Sequence, residues 1–240
     1  MSALEASWAY LADTPLLWLG FTLSAYLLAM ALYRRGRNHP LLLPVFTAVI
    51  MIIAVLWLSD TPYPTYRRHT WLLQFLIGPA TVALAIPLYD QLHRLRQMLV
   101  PLLVALLAGS AAAIVSAIGI AWVLGATLQT RISLAPKSAT MPIAMEVAAL
   151  AGGLPALTTV AVAITGVSGA IMAGAVFKFL GIRDPAVQGF SLGLSAHAIG
   201  VGRAFQWGET AIAFAALGMG LNGILTALLV PLIFGLLALF

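Results

Sequence analysis

The sequence predicts an all-α fold: a polytopic transmembrane helical bundle with two broken or re-entrant helical segments, in an arrangement open to inverted repeats. Three observations carry this reading. Of the 240 residues, 62% are hydrophobic and 8% charged, where a soluble domain carries roughly a quarter charged residues. The apolar residues gather into runs close to the about 20 residues that a helix needs to cross the hydrocarbon core. Two further stretches, Ala135–Gly153 and Gly189–Gly208, are rich in small and polar residues and too interrupted to be ordinary lipid-facing helices.

The N-terminus, "MSALEASWAYLADT", is acidic, and the first apolar run, Leu16–Tyr33, ends in the basic "RRGR" of Arg34–Arg37. A cleaved signal peptide has the opposite charge order, so this run is expected to be a retained span with its amino end outside. The runs Leu41–Leu58, Trp71–Leu88, Leu99–Leu124, Pro155–Leu180 and Ala211–Phe240 follow. Basic loops face the cytoplasm. Arg34, Arg35, Arg37, Arg94, Arg96, Lys178 and Arg183 are therefore assigned to that side. Leu99–Leu124 then runs outward and Pro155–Leu180 inward. Ala135–Gly153 dips in from outside and Gly189–Gly208 from the cytoplasm, which is how alternating-access carriers place their interrupted helices. This topology leaves Arg67, Arg68 and Arg131 outside. The alternative is that each interrupted segment crosses fully. A faint repeat, "PATVALAIPL" (Pro79–Leu88) against "SATMPIAMEV" (Ser138–Val147), fits internal duplication.

The net charge of +5 reads as topology signals against an anionic leaflet, with no nucleic-acid partner expected. There is no cysteine, so disulfide and thiol chemistry are excluded. The four histidines form no metal pattern. No GxxxxGK[ST] loop and no nucleophile–base pair occurs, so neither an ATP motor nor an enzyme is expected, and no cofactor. Gly109, Ala113, Ala117, Ala121 and Gly125 recur every four residues, as do Gly166, Ala170 and Gly174. Such spacing puts small residues on one helix face for close backbone packing.

Ionisable groups at membrane depth cost about 2.5–3.5 kcal/mol each on insertion scales and persist where they meet water, a partner or a substrate. Lys137, Glu146, His197 and Arg203 are the candidates. Lys137 and Ser138 precede Pro142, and a helix starting near Thr140–Pro142 turns its free N–H groups toward Lys137. Lysine, two hydroxyls and a helix N-terminus suit an anion. The plainer alternative is a snorkelling Lys137 with Thr140 as a cap. Glu146, four residues past Pro142 on the same helical face, suits pairing with Lys137 from another turn or a partner helix, a coupling proton, or a reach to solvent where the segment ends. In "GFSLGLSAHAIGVGRAF", Gly189, Gly193, His197 and Gly200 fall near one helical face. His197 suits hydrogen bonding to a carboxylate or a change of protonation near neutral pH, against the alternative of a satisfied structural histidine. Arg203 suits a carboxylate clamp or a cytoplasmic anchor. Asn222, inside the last span, is expected to hydrogen-bond a neighbouring helix. Trp71 and Trp207 sit at span edges as interfacial anchors.

At these stretches the sequence resembles the LrgB/CidB family of bacterial membrane proteins. The resemblance runs from about Leu41 to the C-terminus. It is carried by "LAPKSATMPIAME" (Leu134–Glu146), by "GLSAHAIGVGRA" (Gly193–Ala204), and by Gly208-Glu209 followed by "LGMGLNGILTALLVPL" (Leu217–Leu232). The family's Pro-Lys-Ser-x-Thr-x-Pro-Ile-Ala core is matched at Pro136, Lys137, Ser138, Thr140, Pro142, Ile143 and Ala144. Ala196 and Ala198 stand where the family usually has serine and glycine beside the histidine. Residues 1–36 read as an N-terminal span outside the resemblance, and 37–240 as the LrgB-like domain.

The resemblance implies a multi-pass protein of the bacterial inner membrane. Members are labelled antiholin-like proteins or regulators of murein hydrolase export, encoded beside a small LrgA/CidA-type membrane partner. A plastid relative exchanges glycolate and glycerate, and other members are linked to pyruvate uptake. The residues and the resemblance together lead us to expect a secondary carrier of small monocarboxylates, coupled to protons. Lys137, Ser138, Thr140, Pro142, His197, Gly200 and Arg203 are expected at the substrate, with Glu146 or His197 carrying the proton. A holin-like pore component or its regulator is the alternative. The expected partners are the carboxylate, the lipid bilayer, an LrgA/CidA-type protein and a second copy in a homodimer.

Overall fold

The computed structural model describes residues 14–237, apart from Asn38, Pro40 and Leu41. It consists of helices and turns, with no strand among the described residues, and divides into two compact units between Ala83 and Leu84.

The first unit holds α1 (Pro15–Arg35), α2 (Pro44–Leu58), α3 (Tyr63–His69) and α4 (Trp71–Ala83). Proline near the first helical position of α1, α2 and α3 suits a start where the backbone N–H has no partner anyway. Arg34 and Arg35 close α1, where cations complement the helix dipole. α2 has 15 residues, about 22 Å at 1.5 Å per residue, so it is shorter than the about 30 Å of hydrocarbon. The start of the predicted run, Leu41, lies outside the described residues. α3 is tied to α1: the Tyr66 and Thr22 hydroxyls share a 2.9 Å hydrogen bond, and Trp18 packs edge-on against the Tyr66 ring at 5.6 Å.

The second unit holds α5 (Ala85–Asp90), α6 (Leu92–Gln97), α7 (Leu99–Val123), α8 (Leu128–Leu134), α9 (Met141–Leu150), α10 (Pro155–Phe179), α11 (Pro185–Ala204) and α12 (Glu209–Leu237). Among the described residues, five helical stretches are long and apolar enough to cross a membrane: Pro15–Arg35, Trp71–Asp90, Leu99–Val123, Pro155–Phe179 and Glu209–Gly235. The second of these passes through the turn at Leu84 that separates α4 from α5. The chain is a multi-pass helical membrane protein.

One ion pair orients the second unit. Arg94, just ahead of α7, donates from Nη2 to both carboxylate oxygens of Asp184, at 2.8 and 2.6 Å. Asp184 also caps α11, its Oδ1 accepting from the Ala186 N–H at 2.7 Å. The starts of α7 and α11 therefore share one basic face. α7 and α10 are each long and apolar enough to cross once, which puts the α8–α9 segment at the face opposite the one shared by the starts of α7 and α11.

Neither interrupted segment crosses. α8 has 7 residues and α9 has 10, about 10 and 15 Å long. The chain after α9 returns to α8: the Ser133 hydroxyl accepts from the Leu154 N–H at 2.7 Å, and Thr158 donates to the Ser133 carbonyl at 2.9 Å. α11 breaks at His197, whose backbone (φ 43°, ψ −134°) is not helical. Beyond the break the chain doubles back. Gly200 lies so close to the Leu192 carbonyl that a Cβ there would collide with it. Further along, Arg203 reaches Gly174 and Trp207 packs on Phe177 at 5.6 Å, both near the C-terminal end of α10. Each segment is thus a re-entrant hairpin, and the two come from opposite faces.

The second hairpin is held by backbone contact. Cβ atoms at Gly189 and Gly193 would run into the Ala211 and Ala215 carbonyls of α12, and one at Gly218 would meet the Phe190 carbonyl. The contacts advance in step along both chains, so the first arm of α11 lies parallel to α12. Small residues every four positions permit this approach.

Candidate functional site

The tip of the first hairpin sits at the middle of the second unit. Asn222, near the middle of the 29-residue α12, donates from Nδ2 to the Ser138 carbonyl at 2.9 Å. Its Oδ1 accepts from Ser110 at 2.6 Å, near the middle of the 25-residue α7. Asn222 is 1% exposed, so this two-bond chain is shielded from competing water. It fixes the height of the turn that carries Lys137.

Lys137 and Ser138 line a cleft of about 560 Å³. Thr165 and Ser168 line it from the middle of α10, and Ser191 and Ser195 from the first arm of α11. The apolar side is built by Met172, Val176 and Phe177, and the cleft continues to Leu180 and Ile182 at the end of α10. Among the described residues, the Lys137 ammonium has no ion pair and no hydrogen bond. The Ser168 and Ser195 hydroxyls donate to the carbonyls of Ile164 and Ser191, one turn earlier on their own helices, at 2.6 and 2.7 Å. Their oxygens keep acceptor capacity, and Lys137 supplies donors. An anion of a few heavy atoms is the chemical complement of this lining.

The other residues expected at the site lie outside the lining. Thr140 is the N-cap residue of α9, without a side-chain cap hydrogen bond, and Pro142 takes the second helical position. Glu146 lies on the exposed face of α9 with Pro142. His197 forms the tip of the second hairpin and is 4% exposed. Its Nε2 donates to the Val162 carbonyl of α10 at 3.0 Å, and its ring occupies the space left by Gly166. Neither residue assigned a proton, Glu146 or His197, faces the cleft. Gly200 and Arg203 lie on the return arm. Arg203 is buried, hydrogen-bonds Gln206 and stacks over the Trp207 ring at 5.5 Å. A cleft and a basic, tryptophan-containing cavity of about 450 Å³ meet at Phe177 and Ile182.

Sequence reasoning missed the four hydroxyl residues of α10 and α11. Thr165 and Ser168 are three apart, and Ser191 and Ser195 four apart, which puts each pair on one helix face. That spacing was the available signal. It was weak, because hydroxyls in apolar helices usually satisfy themselves on their own backbone.

Comparison with known proteins agrees with the extent of this architecture. The model of the LrgB-like family matches residues 22–236. An uncharacterized protein, YxaC, of Bacillus subtilis is 37% identical over 88% of this chain and 92% of its own length. An uncharacterized protein of Haemophilus influenzae is 32% identical over 91% of this chain and 94% of its own. The antiholin-like protein LrgB of Bacillus mycoides is 28% identical over 91% and 95%. No solved structure matches the chain.

Proposed function

The chain belongs to the LrgB-like family of multi-pass bacterial inner-membrane proteins, and from that premise we propose that it is a secondary carrier of small monocarboxylates. The observation that carries the reading is the Lys137 ammonium, without an ion pair among the described residues, in a hydroxyl-lined cleft halfway through the bundle. A charge at that depth is costly without a partner. A carboxylate entering the cleft supplies one, and Ser138, Thr165, Ser168, Ser191 and Ser195 are its polar surroundings. The single cation on the lining favours one negative charge over two. Two hairpins from opposite faces flank the cleft, an arrangement that suits alternating exposure.

The test is uptake into sealed vesicles containing the purified protein. Radiolabelled pyruvate, lactate and glycolate should enter saturably and compete with one another, while succinate competes weakly. Entry of none of them, or equal entry of uncharged dyes of similar size, removes the carrier reading.

A second reading is favoured by the name of the Bacillus mycoides relative, antiholin-like protein LrgB: a regulator of a membrane pore, acting with a small LrgA-type partner. It predicts no saturable flux from this chain alone. It also predicts that dye release by the partner changes when both are in one vesicle.

A further inference from the structure

We propose that the first unit carries a binding site for an anionic phospholipid, in a groove of about 670 Å³ formed by α3, α4 and the facing parts of α1 and α2. This site stands apart from the carrier reading and does not depend on it. One end of the groove is polar, lined by Tyr63, Tyr66 and Arg67 of α3. Beyond it the groove is lined by Leu73 and Ile77, one turn apart on α4, by Val45 of α2 and by Tyr26 of α1, with Thr70 and Gln74 as the polar groups among them.

α3 is held in one orientation, and this aims Arg67. Tyr66 is fixed by its hydrogen bond to Thr22 and by the Trp18 ring, and the Thr70 hydroxyl donates back to the Tyr66 carbonyl at 2.9 Å. His69 and Thr70 are buried beneath. Arg67, the next residue after Tyr66, is exposed on the groove and has no ion pair among the described residues. The nearby carboxylate, Asp60, lines the adjacent cavity on the far side of Tyr63. Trp57 and Trp71, on either side of α3 in the chain, are 81% and 58% exposed. Exposed indoles favour the headgroup level of a bilayer, so α3 lies at that level and α4 leads from it into the hydrocarbon.

The occupant follows from the two ends together. A soluble anion pairs with Arg67 and leaves the apolar surface of Leu73, Ile77 and Val45 uncovered. A zwitterionic lipid covers that surface and leaves the guanidinium without a net counter-charge. A phospholipid with a net negative headgroup satisfies both, its phosphate accepting bidentate hydrogen bonds from Arg67 and one acyl chain lying along α4.

The full chain, purified in detergent, is mixed with equal mole fractions of dioleoyl-phosphatidylglycerol and dioleoyl-phosphatidylcholine, and retained lipid is counted by native mass spectrometry. The unaltered protein should retain phosphatidylglycerol in preference by about fivefold, the order expected for one cation at an anionic headgroup. Arg67→Gln should abolish the preference, and Ile77→Trp, which fills the apolar part, should reduce retention of both lipids. Arg96→Gln, which removes an exposed cation from the second unit, should leave the preference intact. Equal retention by the unaltered protein overturns the proposal, as does a preference that survives Arg67→Gln or falls equally with Arg96→Gln. If Ile77→Trp abolishes a dimer mass and leaves lipid retention unchanged, the groove belongs to a second copy and the proposal is likewise overturned.

Discussion

The two hairpins of the second unit come from opposite faces, yet their tips are built on opposite principles. The first presents to a cleft a cation without an ion pair among the described residues, and anchors its own backbone from behind, through Asn222 and Ser110. The second buries its tip: His197 is bonded to Val162 and packed onto Gly166. An unsatisfied charge in a bilayer is expensive, so a fold keeps one only where water or a ligand can reach it. A satisfied imidazole carries no such demand. The difference sets a tip that leaves a cation open to a cleft against a tip that closes on its own bundle.

The largest effect should come from the second hairpin's seam with α12. Gly193→Leu drives a side chain into the Ala215 carbonyl, and neither backbone can yield without parting the two helices. Overpacking of this kind costs about 1–3 kcal/mol or more. We expect Gly193→Leu to abolish monodisperse protein in size-exclusion chromatography. Gly202→Ala, on the return arm with open space around it, should leave the thermal midpoint unchanged. Equal tolerance of both would dissolve the seam. Next in size is Lys137→Gln. Losing a hydrogen bond to a charged group costs about 1.5–3 kcal/mol, or about 10- to 150-fold at 1.4 kcal/mol per decade. Vesicle uptake should lose kcat/KM by that factor while the fold, read by thermal midpoint, holds. Unaltered uptake would strip the first tip of its binding role.

Much of this contrast is legible in the sequence, and the part that is not has a physical cause. Proline, glycine and charge inside apolar stretches mark both hairpins, and the placement of Arg94, Lys178 and Arg183 gives their opposite directions. Asn222 is recognisable as a helix bridge because an amide in hydrocarbon needs partners. The small stripe of α10 is equally readable, and it seats the second hairpin: Gly166 receives His197 and Gly174 lies by Arg203. What fails is the helical wheel through His197. It puts Gly189, Gly193, His197 and Gly200 on one face only if the helix is continuous. The chain reverses at His197, so Gly200 and Arg203 belong to a second axis and the wheel loses meaning beyond residue 196. The division into two units is likewise invisible, because Leu84 sits in an unbroken apolar run.

A smaller effect tests the anchor behind the first tip. Asn222→Leu leaves the Ser138 carbonyl and the Ser110 hydroxyl without the bonds they make now. Interhelical hydrogen bonds in bilayers are worth about 0.6–2 kcal/mol, so the Lys137 turn should loosen rather than unfold. We expect KM for the transported anion to rise about 3- to 30-fold on that scale, with kcat falling less. Rescue by Asn222→Gln should be poor, since the longer amide misplaces both bonds. A lower thermal midpoint with unchanged KM would mean that Asn222 supports the bundle and not the site.

The smallest effect separates geometry from chemistry at the second tip. His197 holds φ 43° and ψ −134°, a conformation that costs a residue with a Cβ about 1–3 kcal/mol. The Nε2 bond to Val162, worth about 0.5–1.5 kcal/mol, and the ring's packing on α10 offset that strain. Alanine keeps the strain and loses both compensations. Glycine loses the same contacts and sheds the strain. His197→Gly should therefore be more stable than His197→Ala by about 1 kcal/mol, an order opposite to that at an ordinary helical position, where glycine is the worse of the two by a similar amount. Thermal midpoints of the two variants in one detergent decide it. An alanine variant at least as stable as the glycine variant would mean that the chain does not reverse at this residue. Uptake completes the contrast: both variants should keep KM within about twofold, because the imidazole is not on the cleft. A rise in KM as large as that of Lys137→Gln would put the imidazole at the ligand and make the two tips alike in function.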